Sequence, residues 1–183
     1  MSAGPITLAP MEATTLRYRP ATVRDALIAS EVVAKAAAAF ANFTPPGWRP
    51  RSPLLAEPEL HDILSRGYVK TRLAFSGSAA VGVAGWQPAR DTTEPRDPIP
   101  GRAHLWAFFV VPDWWGKGVA SELLEWATTG MADSGYESAQ LWAVRDNARA
   151  RAFYEREGWL AAGPERHSPE LNLDLVLYER TLD

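Results

Sequence analysis

The sequence predicts a single α/β domain built around a mixed β-sheet, and three observations predict it. Segments with strand periodicity alternate with segments of helical spacing, in the order β-α-α-β-β-β-α-β-α-β-β. A chain of 183 residues can bury a core without staples, and with no cysteine it has no disulfide to use. Hydrophobic residues at 46% and charged residues at 22% match a globular composition.

Residues 1–14 read as a flexible leader and residues 15–183 as the domain. "LRYRPAT" is a short strand ending at Pro20. Thr22 followed by Asp25 resembles a capping box, and a helix runs from there to about Ala41. The prolines of "NFTPPGWRPRSP" break regular structure. A shorter helix fits "EPELHDILSRG", with Pro58 in its first turn, Leu60, Ile63 and Leu64 on one side, and Gly67 as its stop. From Tyr68 the period becomes two: Val69, Thr71, Leu73 and Phe75 alternate with Lys70, Arg72 and Ala74, as in a half-buried strand. Ser76-Gly77-Ser78 turns the chain into "AAVGVAGWQ", the second strand of a hairpin. "PARDTTEPRDPIPGR" is a long proline-rich loop, and "AHLWAFFVV" an apolar strand buried on both faces. A helix face of Ala120, Leu123, Leu124, Ala127 and Met131 ends near Gly135. "SAQLWAV" is a buried strand, "NARARAFYEREG" a helix stopped by Gly158, and "WLAAG" and "LNLDLVLYERTL" are closing strands.

Several function classes fall away. The net charge of −3 argues against a general nucleic-acid binder. No apolar run approaches the roughly 20 residues of a membrane span. The N-terminus lacks a basic region followed by an apolar core, so no secretory signal is expected and the cytoplasm is the default compartment. His61, His104 and His167 lie far apart without ligand spacing, so no metal site is expected.

In "VVPDWWGKGVASELLEWA" the chain leaves an apolar run at Pro112, passes Gly116-Lys117-Gly118, and starts an amphipathic helix at once. Glycines without Cβ let backbone approach a bulky anion, and helix-start N–H groups with the helix dipole favour it. A pyrophosphate suits that description; so does a helix start that simply needs a flexible turn. The turn is neither a dinucleotide fingerprint, because Ser121 stands where the last glycine would be, nor a Walker loop, which needs Gly-Lys-Ser/Thr.

Asn147 and Tyr154 in "LWAVRDNARARAFYEREGW" are seven positions apart, close to two helical turns, so both side chains look the same way. Alone, Asn147 reads equally as a helix N-cap and Tyr154 as a core aromatic. Together with the glycine turn these residues carry a resemblance. The chain resembles the GNAT superfamily of acetyl-CoA-dependent N-acetyltransferases from Leu16 to near Leu182. "WGKGVA" meets the family's Q/R-x-x-G-x-G/A loop, and "NARARAFYEREGW" meets its N-x-x-A-x-x-F-Y-x-x-x-G-F block, with Trp159 for the usual Phe. The resemblance implies a single-domain, mixed, mostly antiparallel sheet flanked by about four helices. It implies acetyl-CoA as co-substrate, with Phe108, Phe109 and Val110 along the pantetheine arm on a splayed strand edge. Gly116, Lys117, Gly118, Val119, Ala120 and Ser121 would cradle the pyrophosphate, and Asn147 and Tyr154 would reach the cofactor near its sulfur. Trp115 departs from the pattern, standing where the family has Gln or Arg. Arg145, Arg149 and Arg151 would either meet the cofactor's 3′-phosphate or form a solvated face with an Arg151–Glu155 pair.

Transfer from a thioester to an amine needs a neutral amine, an oxyanion site and a proton for the leaving thiolate. By family analogy Tyr154 supplies that proton and the Val110 N–H meets the oxyanion. Where relatives carry a glutamate base, this chain has His104 and Trp142. His104 is then either the base, directly or through water, or a structural histidine at a strand end. Trp48, Trp86, Trp106 and Trp142 either line an aromatic acceptor cleft, able to hold a cation on ring faces, or pack as ordinary core. The proline-rich loops 44–53 and 87–102 are candidates to shape that cleft.

The leading expectation is an N-acetyltransferase acting on an unidentified amine, small molecule or peptide. The alternative is a catalytically silent acyl-CoA-binding sensor or interaction module of the same fold. A nucleotide-binding protein lacks the residues its site needs. A homodimer is compatible with such folds, and the sequence does not specify the oligomeric state.

Overall fold

Strand β1 (Leu16–Pro20) leads through one 3₁₀ turn into helix α1 (Ala26–Ala37), and a second 3₁₀ turn carries the chain on to Asn42. Helix α2 (Pro53–Ser65), strands β2 (Lys70–Ser76), β3 (Ala79–Arg90) and β4 (Pro98–Val110), and helix α3 (Val119–Asp133) follow. Strand β5 (Ser138–Val144), helix α4 (Ala148–Arg156) and strands β6 (Leu160–Ala161), β7 (Arg166–Ser168) and β8 (Leu173–Thr181) complete the chain. This computed structural model describes residues 15–91, 97–163, 165–169 and 171–183; the expected leader 1–14 lies outside the described residues. The strands form one sheet in the order β1-β2-β3-β4-β5-β8-β6, with β7 also on β8. Every pairing is antiparallel except β4 with β5, which α3 connects by a crossover. The mixed, mostly antiparallel sheet with four helices is the architecture the sequence predicts. No helix among the described residues is long and apolar enough to cross a membrane.

The sheet packs helices on both faces. Leu73, Phe75 and Val83 meet Ala29 and Val32 of α1, whereas Ala74, Val81, Ala84 and Val110 meet Val119 and Leu123 of α3. Ala74 is therefore fully buried, so β2 is covered on both sides where a half-buried strand was expected. The helix start at Thr22 is as read: the Asp25 carboxylate accepts the Thr22 N–H at 2.8 Å and pairs with Arg19, which holds its carboxyl down to about 2.

Other expectations need correction as well. Helix α2 begins at Pro53, after Ser52, so Pro58 lies inside it and not in its first turn. The pre-set φ of proline suits Pro53 to the first helical position. The expected loop 87–102 is strand up to Arg90, where β3 ends, and again from Pro98, where β4 starts, and its residues 92–96 lie outside the described residues. A register shift between Pro88 and Arg90 absorbs the irregularity a proline brings to a ladder. Strand β4 is not buried on both faces: Ala103, Leu105 and Ala107 are buried, but His104, Trp106 and Phe108 are half-buried. Finally β7 was unforeseen, because three residues are too few to show a period.

The feature that positions the site is a parting of two neighbours. Strands β4 and β5 pair only at Arg102↔Ser138, Ala103↔Ala139 and His104↔Gln140. Beyond that point β4 follows β3 to Val110 while β5 follows β8 to Val144. The parting begins where Trp106 forms a bulge, unpaired between Leu105↔Trp86 and Ala107↔Gly85. Gly85 is required there, because a Cβ would lie 2.6 Å from the Trp106 indole.

Candidate active site

On one side of the parting the site is made of main chain. The Val111 N–H donates to Val81 at 2.9 Å, so Phe109 also turns its N–H and C=O towards β3, while Phe108 and Val110 turn theirs into the gap. Of the three strand residues expected along the ligand, two thus present main-chain groups to the gap. The side chain of Phe109 packs on the α1 face. Past Val110 the chain reaches Gly116 and Gly118, at φ +72° and +82°, a backbone region that glycine enters without strain. Gly118 is the N-cap of α3 and offers no side-chain cap. Among the described residues, no acceptor in the chain engages the N–H groups of Gly116 through Ser121, and the first return bond is Glu122 to Gly118. A row of unfilled donors stands at the start of a fifteen-residue helix. The ammonium of Lys117 sits 4.8 Å from the centre of the Trp114 ring.

Helix α4 closes the gap. Tyr154 is buried among Phe108, Phe153, Trp159 and Tyr178, with ring centroids 5.6–6.3 Å away. Its contact with Phe108 sets the phenol beside the unpaired stretch of β4. Burial pushes the phenol above its ordinary value of 10, so it stays protonated. No hydrogen-bond partner for the hydroxyl occurs among the described residues. Asn147 caps α4 by accepting the Ala150 N–H at 3.1 Å.

At the other end of the parting the site is made of side chains. His104 opens onto a cleft of about 470 Å³ shared with Gln87, Arg90, Gln140, Trp142 and Arg166. Its Nδ1 lies 3.2 Å from the Gln140 carbonyl, which only accepts, so Nδ1 carries the proton and Nε2 keeps its lone pair. Desolvation lowers its pKa to about 4 against the opposing pull of the Gln140 hydrogen bond, with the charge of Arg166 a smaller lowering effect. Trp142 lines this cleft, with the Arg166 guanidinium 4.0 Å over its ring. Trp48 stacks on Phe40, which packs with Trp142 on the Val144–Leu173–Leu175 cluster. Trp86 belongs to the core and Trp106 to the bulge. Among the described residues, no three His, Asp or Glu side chains gather as for a metal ion.

The sequence matches the acetyltransferase (GNAT) family over residues 35–159, more than half of the chain. The chain belongs to that family. No curated protein matches it. Solved GNAT structures share its fold at low identity. The PaiA N-acetyltransferase of Thermoplasma acidophilum, in complex with coenzyme A, superposes with a TM-score of 0.70 at 16% identity, covering 91% of this chain and 99% of that one. The ribosomal-protein-S18-alanine N-acetyltransferase of Escherichia coli gives 0.68 at 17%, over 92% and 95%. An acetyltransferase of Thermus thermophilus gives 0.68 at 21%, over 94% and 100%.

Within this GNAT fold, the unfilled N–H groups and the unpaired strand edge are the donor set that a diphosphate and an amide-bearing arm require. Trp115 has work of its own. Its indole N–H donates to the Val110 carbonyl at 2.8 Å, and Arg149 lies 4.4 Å over its ring. The departure from the family pattern therefore ties the glycine turn to the end of β4. Arg145 is engaged by Asp146, Glu165 and Asp174. Arg151 donates to Tyr178, whose hydroxyl donates to Glu155. The expected Arg151–Glu155 pair is thus bridged by a phenol. Sequence reasoning missed Gln140 and Arg166 as cleft residues, and reached Gln87 and Arg90 only as part of the stretch 87–102 expected to shape it. They come from three strands, and no spacing in the chain announces them.

Proposed function

We propose that this GNAT protein transfers an acetyl group from acetyl-CoA to a neutral primary amine of a small molecule or peptide. One observation carries the reading: Tyr154 rests against Phe108, where β4 has lost its strand partner. In this reading the N–H groups of Gly116, Lys117, Gly118, Val119, Ala120 and Ser121 hold the diphosphate. The arm lies along Phe108 and Val110, and the Val110 N–H meets the oxyanion. Asn147 acts through α4, whose first turn it caps, to set Tyr154. The amine nitrogen attacks the thioester carbonyl carbon, the C–S bond breaks, and the Tyr154 hydroxyl donates its proton to the leaving sulfur. The amine's proton goes to His104 Nε2 or a water, and a proton returning from solvent restores the Tyr154 phenol. A base with pKa about 4 is neutral at pH 7 but holds a proton weakly, so the proton passes on to solvent.

Isothermal calorimetry with acetyl-CoA and coenzyme A, followed by thiol release across an amine panel, tests this. Binding of both, with turnover of at least one amine, is expected; no binding overturns it. A second reading, acyl-CoA binding without turnover, draws on the upward shift of Tyr154, which makes the phenol a weak acid. Binding with no turnover of any amine selects it.

A further inference from the structure

Three polar side chains stand in a row on one face of the sheet. Gln87 of β3 is in register with His104 of β4, and His104 with Gln140 of β5. Their neighbours Trp86, Leu105, Ala139 and Leu141 pack in the core against α3. Strand alternation therefore turns all three to the opposite face, where they line the cleft of about 470 Å³. The row continues at Glu179 of β8, which Arg102 engages. Arg90, Asp91 and Arg166 share the cleft, and each interacts with other groups of the protein. The carboxamides of Gln87 and Gln140 differ: among the described residues neither has a hydrogen-bond partner. Gln140 is only 7% exposed, and a carboxamide withdrawn that far from water gives up hydrogen bonds that a ligand can restore.

Resting on the acetyl-transfer reading, we propose that the acceptor is an α-amino amide, the N-terminal residue of a peptide, whose first peptide group bridges Gln87 and Gln140. Neighbouring strands lie about 4.8 Å apart, so the two glutamines stand about 10 Å apart across His104. A trans peptide group sends its N–H and its C=O in opposite directions. Each glutamine can answer either one, since a carboxamide both donates and accepts. A hydroxyl offers both functions from one oxygen and does not span the row; a carboxylate brings no donor. The attacking amine is two bonds from the bridged carbonyl carbon, over His104, whose Nε2 keeps its lone pair.

The experiment compares N-methylamides of the common amino acids with the matching methyl esters and decarboxylated amines, with thiol release as the readout and acetyl-CoA calorimetry alongside. The ester keeps the carbonyl of the amide and loses its N–H. The amides are expected to exceed esters and amines by about tenfold or more in kcat/KM, because a site built to bond an N–H rejects the analogue without it. In Gln140→Leu that preference should collapse towards one, through KM, with the acetyl-CoA Kd held within about twofold as the check on folding. Gln87→Leu, on the half-buried side of the row, should reduce it in the same direction, and decides alone if Gln140→Leu fails that check. Esters or amines turned over as well as the amides, or a preference that survives in a variant passing the check, overturns this proposal and leaves the transferase reading standing. Turnover of no acceptor, with or without acetyl-CoA binding, overturns both.

Discussion

The two halves of the site are built from different materials. One half is main chain: a glycine turn, the first turn of α3, and the edge of β4 exposed where β5 departs. The other half is side chains: Gln87 and Arg90 from β3, His104 from β4, Gln140 and Trp142 from β5, Arg166 from β7. Backbone N–H groups are the same in every sequence, so the first half can hold one ligand across a family while the second changes.

Tyr154 stands where the halves meet, and its loss should have the largest effect. Tyr154→Phe keeps the ring contacts with Phe108 and Tyr178 and removes only the hydroxyl. Turnover should fall about 10²–10⁴-fold, with the acetyl-CoA Kd little changed by calorimetry. An equal loss of coenzyme affinity would move Tyr154 into the main-chain half.

The next effect belongs to the side-chain half. His104 has a pKa of about 4 in the fold, against an ordinary 6.5. Between those values the unfolded chain binds the extra proton and the native one does not. Its contribution to stability is therefore whole above pH 6.5 and is lost as pH falls towards 4. Down to pH 5 the loss is on the order of 2 kcal/mol. Urea unfolding of the wild type and of His104→Gln at pH 7.5 and pH 5 should show the smaller drop in the variant; identical drops would mean that the imidazole titrates normally.

Legibility followed the same division. The glycine turn and the Asn147–Tyr154 block could be read because each is contiguous, and a contiguous element needs only its own neighbours to fold. The cleft could not, because Arg166 reaches Trp142 only through the β7–β8 pairing, and β7 is too short to show a period. Trp142 was singled out from its strand alone, but that its partner is a cation of the same chain depends on residues 24 positions apart. The bulge at Trp106 was hidden as well, since the space for its indole comes from Gly85 on the next strand. The proline-rich stretch misled in a different way. Pro88 and Pro98 argue locally for a loop, yet the hairpin extends through them because a register shift accommodates the lost donor.

A change confined to the main-chain half should leave the side-chain half untouched. Gly118→Val places a β-branched residue at φ +82°, where an L side chain is strained by roughly 1–2 kcal/mol. The turn then shifts and the donors at residues 118–121 lose alignment. The acetyl-CoA Kd should rise about tenfold, with the acceptor KM, measured at saturating acetyl-CoA, unchanged. A parallel change in acceptor KM would show that the two halves are coupled through α3.

The smallest effect tests how the turn is tied to the strand. Trp115 donates to the Val110 carbonyl at 2.8 Å, and that carbonyl faces the gap. Trp115→Phe keeps a ring under Arg149 and removes the donor. Loss of one such bond costs about 1 kcal/mol, which for a domain of this size lowers Tm by roughly 2–4 °C. If the coenzyme's arm lies along Phe108 and Val110, one of its amide N–H groups can take up the carbonyl that Trp115 releases. The difference in Tm between variant and wild type, followed by differential scanning calorimetry, should then narrow in saturating coenzyme A. A difference that the ligand leaves unchanged would place the arm elsewhere on the strand, and would make Trp115 a tie between turn and strand with no part in holding the ligand.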